Sequence, residues 1–359
     1  MIDLKQYGYI EAEAPPDGLI PGRVTELRRE QYTVITGNGE VTAVLKGSFY
    51  HGAEERGDFP CVGDHVLLQY NETGVSRIAG LLPRRSKFSR ADFSGHAVGY
   101  VKTILEQVVA ANFDYVFILS SLNRDFKINR IMRYLTQAWQ SGGQPVVILT
   151  KADLAENENP GARADEIKKT APGVPVHAVS AHTGFGLEAL NEYLKPGKTV
   201  VFLGMSGVGK SSLLNALMDR EVMEVKDIRE DDSRGRHTTT HRQLFMLPSG
   251  AMVIDTPGMR ELGLFGADEG ISAGFADVEE LFAKCRFNDC RHGTEPGCAV
   301  LAALADGSLP RERWERYLAQ KQENKFADDK AGRLADKRAR NKSLAMRSKQ
   351  PKKNGGTKK

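Results

Sequence analysis

Eight consecutive residues, Gly204-Met205-Ser206-Gly207-Val208-Gly209-Lys210-Ser211, place glycine, lysine and serine at the spacing of a phosphate-binding loop. Glycines let backbone N–H groups turn inward around phosphate oxygens at the positive end of the helix that follows. In that geometry Lys210 bridges the β- and γ-phosphates and the Ser211 hydroxyl holds Mg²⁺. Ser212 opens the helical run. A loop of this kind needs a strand before it and a helix after it, and the runs 199–203 and 212–218 supply both.

Asp255-Thr256-Pro257-Gly258 closes a second apolar strand, 252–254. An aspartate there can reach Mg²⁺ through water, and the Gly258 N–H can meet the γ-phosphate. The same four residues alone would also read as an ordinary turn. Their position at a strand end, 51 residues beyond Gly204, favours the phosphate reading. Thr150-Lys151-Ala152-Asp153 ends the strand 146–149. Its carboxylate can accept from guanine N1–H and N2–H₂, donors that adenine lacks on that edge. A helix N-cap is the plain alternative. Ser180 and Ala181, after the strand 176–179, could offer a backbone N–H to guanine O6. The segment Arg234-Gly235-Arg236-His237-Thr238-Thr239-Thr240 reads as a switch loop, with Thr239 or a neighbouring threonine completing the Mg²⁺ shell. These motifs resemble those of Ras-like GTPases, and that resemblance places a water-orienting glutamine after the Asp255–Gly258 turn, where this sequence has Met259, which cannot hydrogen-bond water. His237 is the nearest group able to do so. A solvated loop histidine is the competing reading.

Cys285, Cys290, His292 and Cys298 form the pattern C-x₄-C-x-H-x₅-C. Three thiolates and an imidazole suit tetrahedral Zn²⁺, and four protein ligands make a structural site without an open position. Cys61, between Pro60 and Val62, reads as a small buried hydrophobe.

The elements that must hold these groups are legible in outline. Short alternating runs at 23–27, 31–36, 40–45, 64–69 and 74–78 suit a small β-barrel, an OB-fold first, with an SH3-like barrel or a sandwich close behind. Residues 83–100 read as a basic connector. Strands at 115–119, 146–149, 176–179 and 199–203 then alternate with helical stretches, the mark of a parallel α/β sheet. Runs 243–247 and 252–254 read as a hairpin pair. Short helices surround the Cys/His cluster, and a further helix starts at Ser308-Leu309-Pro310, with Trp314, Tyr317 and Leu318 on one face. At 359 residues with 40% hydrophobic content, two or three domains with real cores are expected. No apolar run approaches the ~18 residues of a membrane span, and the start MIDLKQYGYI lacks a signal pattern. A cytoplasmic protein with no membrane contact is therefore expected. Charge is unevenly placed. Residues 320–359 hold 14 Lys and Arg against 4 acids, leaving 36 against 42 in the remainder. A basic tail on an acidic body suits a polyanionic partner, which Arg84, Arg85 and Lys87 could also contact.

Base recognition here precedes phosphate binding, the reverse of the usual order of the five Ras-like GTPase signatures. The permuted motifs, the β-barrel and the Cys/His cluster together resemble the ribosome small-subunit-dependent GTPase A (RsgA) family over residues 20–320. That resemblance implies an OB-fold RNA-binding domain at 1–83 and a circularly permuted P-loop GTPase domain at 84–265. It implies a mostly helical zinc domain at 266–325 and a basic tail at 326–359. It further implies one structural zinc on Cys285, Cys290, His292 and Cys298, Mg²⁺ with GTP, and a monomer. The implied partners are the small (30S) ribosomal subunit and its 16S rRNA, with GTP hydrolysed to GDP in late subunit maturation. A non-catalytic RNA-binding adaptor that uses GTP as a structural ligand is the rival from another class, and an ATPase is a third.

Overall fold

Five short strands curl the N-terminal segment into a closed barrel. These are β1 (Ile20–Arg28), β2 (Gln31–Thr36), β3 (Gly39–Leu45), β4 (His65–Gln69) and β5 (Ser76–Leu81), with a short helix α1 (Gly47–Gly52) after β3. Neighbours run in the order β1-β2-β3-β5-β4, and β4 pairs back onto β1. This is the OB arrangement, and the sandwich and SH3-like alternatives fall away. Val24, Val34, Ala43, Val66, Leu68 and Ile78 fill the interior and are fully buried. The computed structural model describes residues 1–11, 14–28, 30–52, 56–91, 106–122, 126–155, 159–223, 242–255 and 266–326.

Residues 83–100 are not simply a connector. β6 (Lys87–Ala91) pairs antiparallel with β7 (Glu106–Ala111) as a separate ribbon. Then follow β8 (Tyr115–Ser121), α2 (Ile128–Gln140), β9 (Gln144–Thr150), α3 (Pro160–Thr170), β10 (Val176–Ala178) and β11 (Thr199–Leu203). After them come α4 (Lys210–Met218), β12 (Arg242–Met246) and β13 (Met252–Asp255). The strands order as β10-β9-β8-β11-β13-β12, all parallel except β12. Parallel strands buried on both faces read as continuous apolar runs, which is why 199–203 is visible in the sequence. β11 lies at the centre, between a strand that precedes it in the chain and one that follows. Its C-terminal end therefore sits beside the ends of β8 and β13, the crevice where open α/β sheets bind ligands.

β12 continues the sheet into the barrel by pairing with β1, Glu26 opposite Gln243 and Leu27 opposite Arg242. The junction is polar inside. Arg23 is fully buried and donates to the carbonyls of Gly63 (3.2 Å), Asn112 (2.9 Å) and Tyr7. Burial, and Arg85 next, lower its pKa to about 9, so it stays a cation at neutral pH. Arg84 pairs with the buried Asp64 at 2.7 and 2.8 Å and reaches the Phe59 carbonyl at 2.8 Å. It therefore serves the junction and does not extend a basic surface. At Gly63 an added Cβ would stand 2.1 Å from the Ala111 carbonyl oxygen, so only glycine lets the barrel meet the β6–β7 ribbon there. Cys61 is buried as expected.

Of the C-terminal helices, α5 (Asp268–Gly274) packs on α2, α6 (Ala276–Phe282) packs on α5 and on α7 (Ala299–Asp306), and α8, over 311–326, is bonded to α2 through Thr136–Gln320 and Asn129–Arg316. Gly270 and Gly274 lie flat on α2. An added Cβ at Gly270 would sit 2.2 Å from the Thr136 carbonyl oxygen, and one at Gly274 would sit 2.8 Å from the Trp139 ring. The seam of α8 is mostly polar. Arg313 donates to Asp277 at 2.6 Å, Gln320 accepts from Thr136 at 2.6 Å, and Asn324 accepts from Ala267 N–H at 2.9 Å. Tyr317 joins them, but Leu318 is 46% exposed, so the expected face 314–317–318 is rotated from the buried one. No helix among the described residues is long and apolar enough to cross a membrane. The basic tail beyond 326 lies outside the described residues.

Candidate nucleotide site and metal centre

β11 ends at Leu203 and α4 begins at Lys210, so 204–209 form the turn between them. Gly207 (φ 77°) and Gly209 (φ 102°) take left-handed backbone, which aims successive N–H groups into one concavity. Lys210 folds back over the loop, its Nζ 2.6 Å from the carbonyl oxygens of both Gly204 and Met205. Those are weak acceptors compared with phosphate, and an entering polyphosphate can replace them. Ser211 and Ser212 are half-buried in the first turn of α4, while Ser206 and Gly207 are exposed at the mouth. Val208 is buried beneath. Asp255 ends β13, one strand away, and is buried. Ser211 thus lies in the first turn after β11, and Asp255 lies at the end of the neighbouring strand β13. Gly258, Thr239 and His237 lie outside the described residues, as does Met259.

The base motif adjoins the loop directly. Thr150 is buried, and its hydroxyl donates to the Val208 carbonyl at 2.6 Å. It ties the two motifs together, a link that spacing alone does not reveal. Lys151 follows at φ 59°, turning the chain so that Ala152–Leu154 forms a single 3₁₀ turn with Asp153 exposed. Ala152 N–H donates to the Val179 carbonyl at 3.1 Å, joining this turn to the segment carrying Ser180 and Ala181. Ser180 is buried and its Oγ accepts from Thr183 N–H at 3.1 Å, while Ala181 is half-buried beside it.

The Cys285, Cys290, His292 and Cys298 ligand atoms all lie within 4.8 Å of one another. His292 Nδ1 is 3.6 Å from both Cys285 Sγ and Cys298 Sγ, and those sulfurs are 4.0 Å apart. A tetrahedral zinc with ordinary bond lengths needs S···S and S···N separations of roughly 3.8 and 3.6 Å. The donor set fits. Cys298 caps α7, its sulfur accepting from Leu301 N–H at 3.5 Å. The His292 ring stacks on Phe282 (4.2 Å between centroids) and meets the edge of Trp314 (5.9 Å). That aromatic wall is half-buried and mixed with polar neighbours, and the residue pattern does not announce it. Metal analysis of the purified chain should give one zinc per protein. Cys290→Ser should lower that content and loosen 285–298 while leaving nucleotide binding in place. A zinc content near zero in the native chain would remove the metal reading.

A phosphate loop at the centre of a sheet whose base-recognition strands come first in the chain defines a circularly permuted P-loop GTPase, here joined to a closed five-stranded barrel. The chain belongs to the RsgA GTPase family, whose profile matches residues 81–265. Its relatives include a small ribosomal subunit biogenesis GTPase RsgA of Listeria monocytogenes, 47% identical over 84% of this chain and 83% of that protein. One from Syntrophotalea carbinolica is 42% identical over 90% and 89%. Among solved structures, YjeQ from Thermotoga maritima superposes with a TM-score of 0.61 at 28% identity, covering 84% of this chain and 96% of that one. YloQ, described as a circularly permuted GTPase, shares the fold with a TM-score of 0.58 at 22% identity, covering 89% of this chain and 96% of that one. As a member of a GTPase family the protein is a hydrolase acting on GTP.

Proposed function

We propose that this protein binds the small (30S) ribosomal subunit in the cytoplasm and hydrolyses GTP to GDP there, late in subunit maturation. The observation that carries the reading is the Thr150–Val208 hydrogen bond, 2.6 Å, which makes one site of the base and phosphate motifs. The names of the relatives supply the subunit. In this reading Asp153 recognises guanine with Lys151, Ala152, Ser180 and Ala181 around it. The loop 204–212 holds phosphates, and Ser211, Asp255 and Thr239 hold Mg²⁺. Lys210 neutralises the γ-phosphate, Gly258 touches it, and His237 orients water. The chain divides into a barrel (1–83), a GTPase domain (84–265), a zinc domain (266–325) and a basic tail (326–359). It acts as a monomer. The barrel and tail meet 16S rRNA and the zinc domain docks. Co-sedimentation with isolated small subunits, tighter with a non-hydrolysable GTP analogue than with GDP, tests this. Equal sedimentation with both nucleotides would leave a GTP-liganded adaptor, and none with either would remove the subunit.

Two further outcomes follow from the same assignments. Asp153→Asn exchanges an acceptor for a donor and should turn preference from GTP toward xanthosine triphosphate. Without its bidentate partner GTP binds more weakly by about 1–3 kcal/mol, or ~5–150-fold. Wild-type protein that binds ATP as tightly as GTP would sink the base assignment. Truncation after Gln320 removes a net +10, given 14 Lys and Arg against 4 acids in 320–359. It should flatten the salt dependence of rRNA binding by about 0.7–0.9 in slope for each phosphate that the tail no longer neutralises. Because α8 extends to 326, truncation after residue 326 is the version that spares the seam with α2. An unchanged slope returns the tail to a solvating extension.

A further inference from the structure

His292 must aim Nδ1 at two sulfurs from a loop with neither helix nor strand to shape it. Its backbone stands at φ 57°, a left-handed conformation that side-chain-bearing residues seldom adopt without support. The support is visible. Both oxygens of Glu295 are occupied by backbone donors of the same loop. Oε1 accepts from Arg291 N–H at 3.0 Å, and Oε2 accepts from Gly293 N–H at 2.8 Å and Thr294 N–H at 3.0 Å. The donors lie on both sides of His292, so one carboxylate closes the turn around it. The Glu295 carbonyl also accepts from Cys298 N–H at 3.3 Å, which ties this turn to the next sulfur ligand.

We infer that Glu295 is a positioning residue for the metal centre, holding His292 in its ligating pose through Arg291, Gly293 and Thr294 N–H groups. It touches no ligand atom and acts through the backbone. The inference rests on the reading of the four Cys and His residues as zinc ligands. One carboxylate serves all three donors. Water would satisfy them in its absence, so the rest of the fold is not at stake. What would disappear is the pre-set direction of the imidazole. Groups that orient metal ligands from outside the coordination sphere are worth about 10–100-fold in metal affinity. The Glu295→Gln side chain keeps the shape but turns one oxygen into an NH₂ that faces an N–H. It can therefore keep two of the three bonds at most, and an intermediate effect is expected.

The test uses the full-length chain and two readouts that do not depend on GTP turnover. Zinc affinity is measured by competition with a chromophoric chelator, and the visible spectrum is recorded after loading with Co²⁺. Glu295→Ala should bind zinc about 10–100-fold more weakly. Its Co²⁺ bands should shift toward those of His292→Ala, because the nitrogen ligand is then poorly aimed. The double variant His292→Ala/Glu295→Ala should bind no more weakly than His292→Ala alone, since Glu295 then has nothing to position. GDP binding and the far-UV circular dichroism of Glu295→Ala should match wild type, separating this effect from misfolding. Wild-type affinity and spectrum in Glu295→Ala would overturn the inference. So would a double variant in which the two losses multiply. A wild-type chain with no zinc affinity overturns the metal reading itself, and this inference with it.

Discussion

GTP turnover by the isolated protein is expected to be slow, and isolated small ribosomal subunits should raise it by ~10³-fold or more, the range GTPase activators supply. The reason lies in Met259, which cannot align a water molecule where Ras-like enzymes use an amide. A missing part must come from elsewhere, and His237 is the near candidate in the switch loop. Phosphate release with and without subunits measures the effect. Lys210→Ala should abolish both rates, because it removes the ammonium that sits 2.6 Å from two carbonyls of the phosphate loop. His237→Ala should instead keep GTP affinity and lose most of the stimulation. A native enzyme indifferent to subunits sinks the subunit-dependent reading. Full stimulation in His237→Ala removes the histidine alone.

Unfolding of Arg23→Met should require at least about 3 kcal/mol less than unfolding of the native chain, since charged hydrogen bonds are worth roughly 1.5–3 kcal/mol each. Arg23 is 0% exposed and serves three carbonyls from three separate segments, Tyr7, Gly63 and Asn112. Methionine fills the volume but removes the donor from the Tyr7 and Asn112 carbonyls and leaves the Gly63 carbonyl with the Asn112 amide alone. Arg28→Met on the same strand is the control. The Arg28 side chain is 65% exposed beside Glu26, and surface changes of that kind stay within about 0.5 kcal/mol. Denaturant melts of both variants compare them. Equal stability of Arg23→Met and wild type would mean that the barrel and the GTPase sheet are not held by this guanidinium.

The parts legible in the sequence are those whose signal is carried by apolar runs or by motif spacing. β11 reads directly at 199–203, where every residue is buried. The phosphate loop and the Cys/His ligands are likewise visible because their residue types are nearly forced by chemistry. β6 escapes such a reading because Lys87 and Ser89 flank the buried Phe88, and its partner strand begins 15 residues after β6 ends. The α8 seam escapes it because its buried residues Arg313, Gln320 and Asn324 are polar. Their burial is offset by specific partners, and a hydropathy pattern sees only apolar faces. The pairing of β12 with β1 uses backbone groups, which no side-chain pattern encodes. Arg84 resembles surface charge in the sequence because Asp64, its partner, lies 20 positions away.

The placement of the protein's two tryptophans gives it a built-in optical readout. Trp139 presses on Gly274 at the seam between the GTPase sheet and the C-terminal helices. Trp314 stacks on Tyr317 at 5.6 Å and meets the ring of His292 at 5.9 Å. Their emission therefore reports two different events without any attached dye. In the zinc reading, the fluorescence left in Trp139→Phe follows metal loading at His292. With Trp314→Phe, it follows separation of the helical region from α2. Recording both during a single chelation experiment would show, in real time, whether loss of the ion stays local or travels to the nucleotide domain.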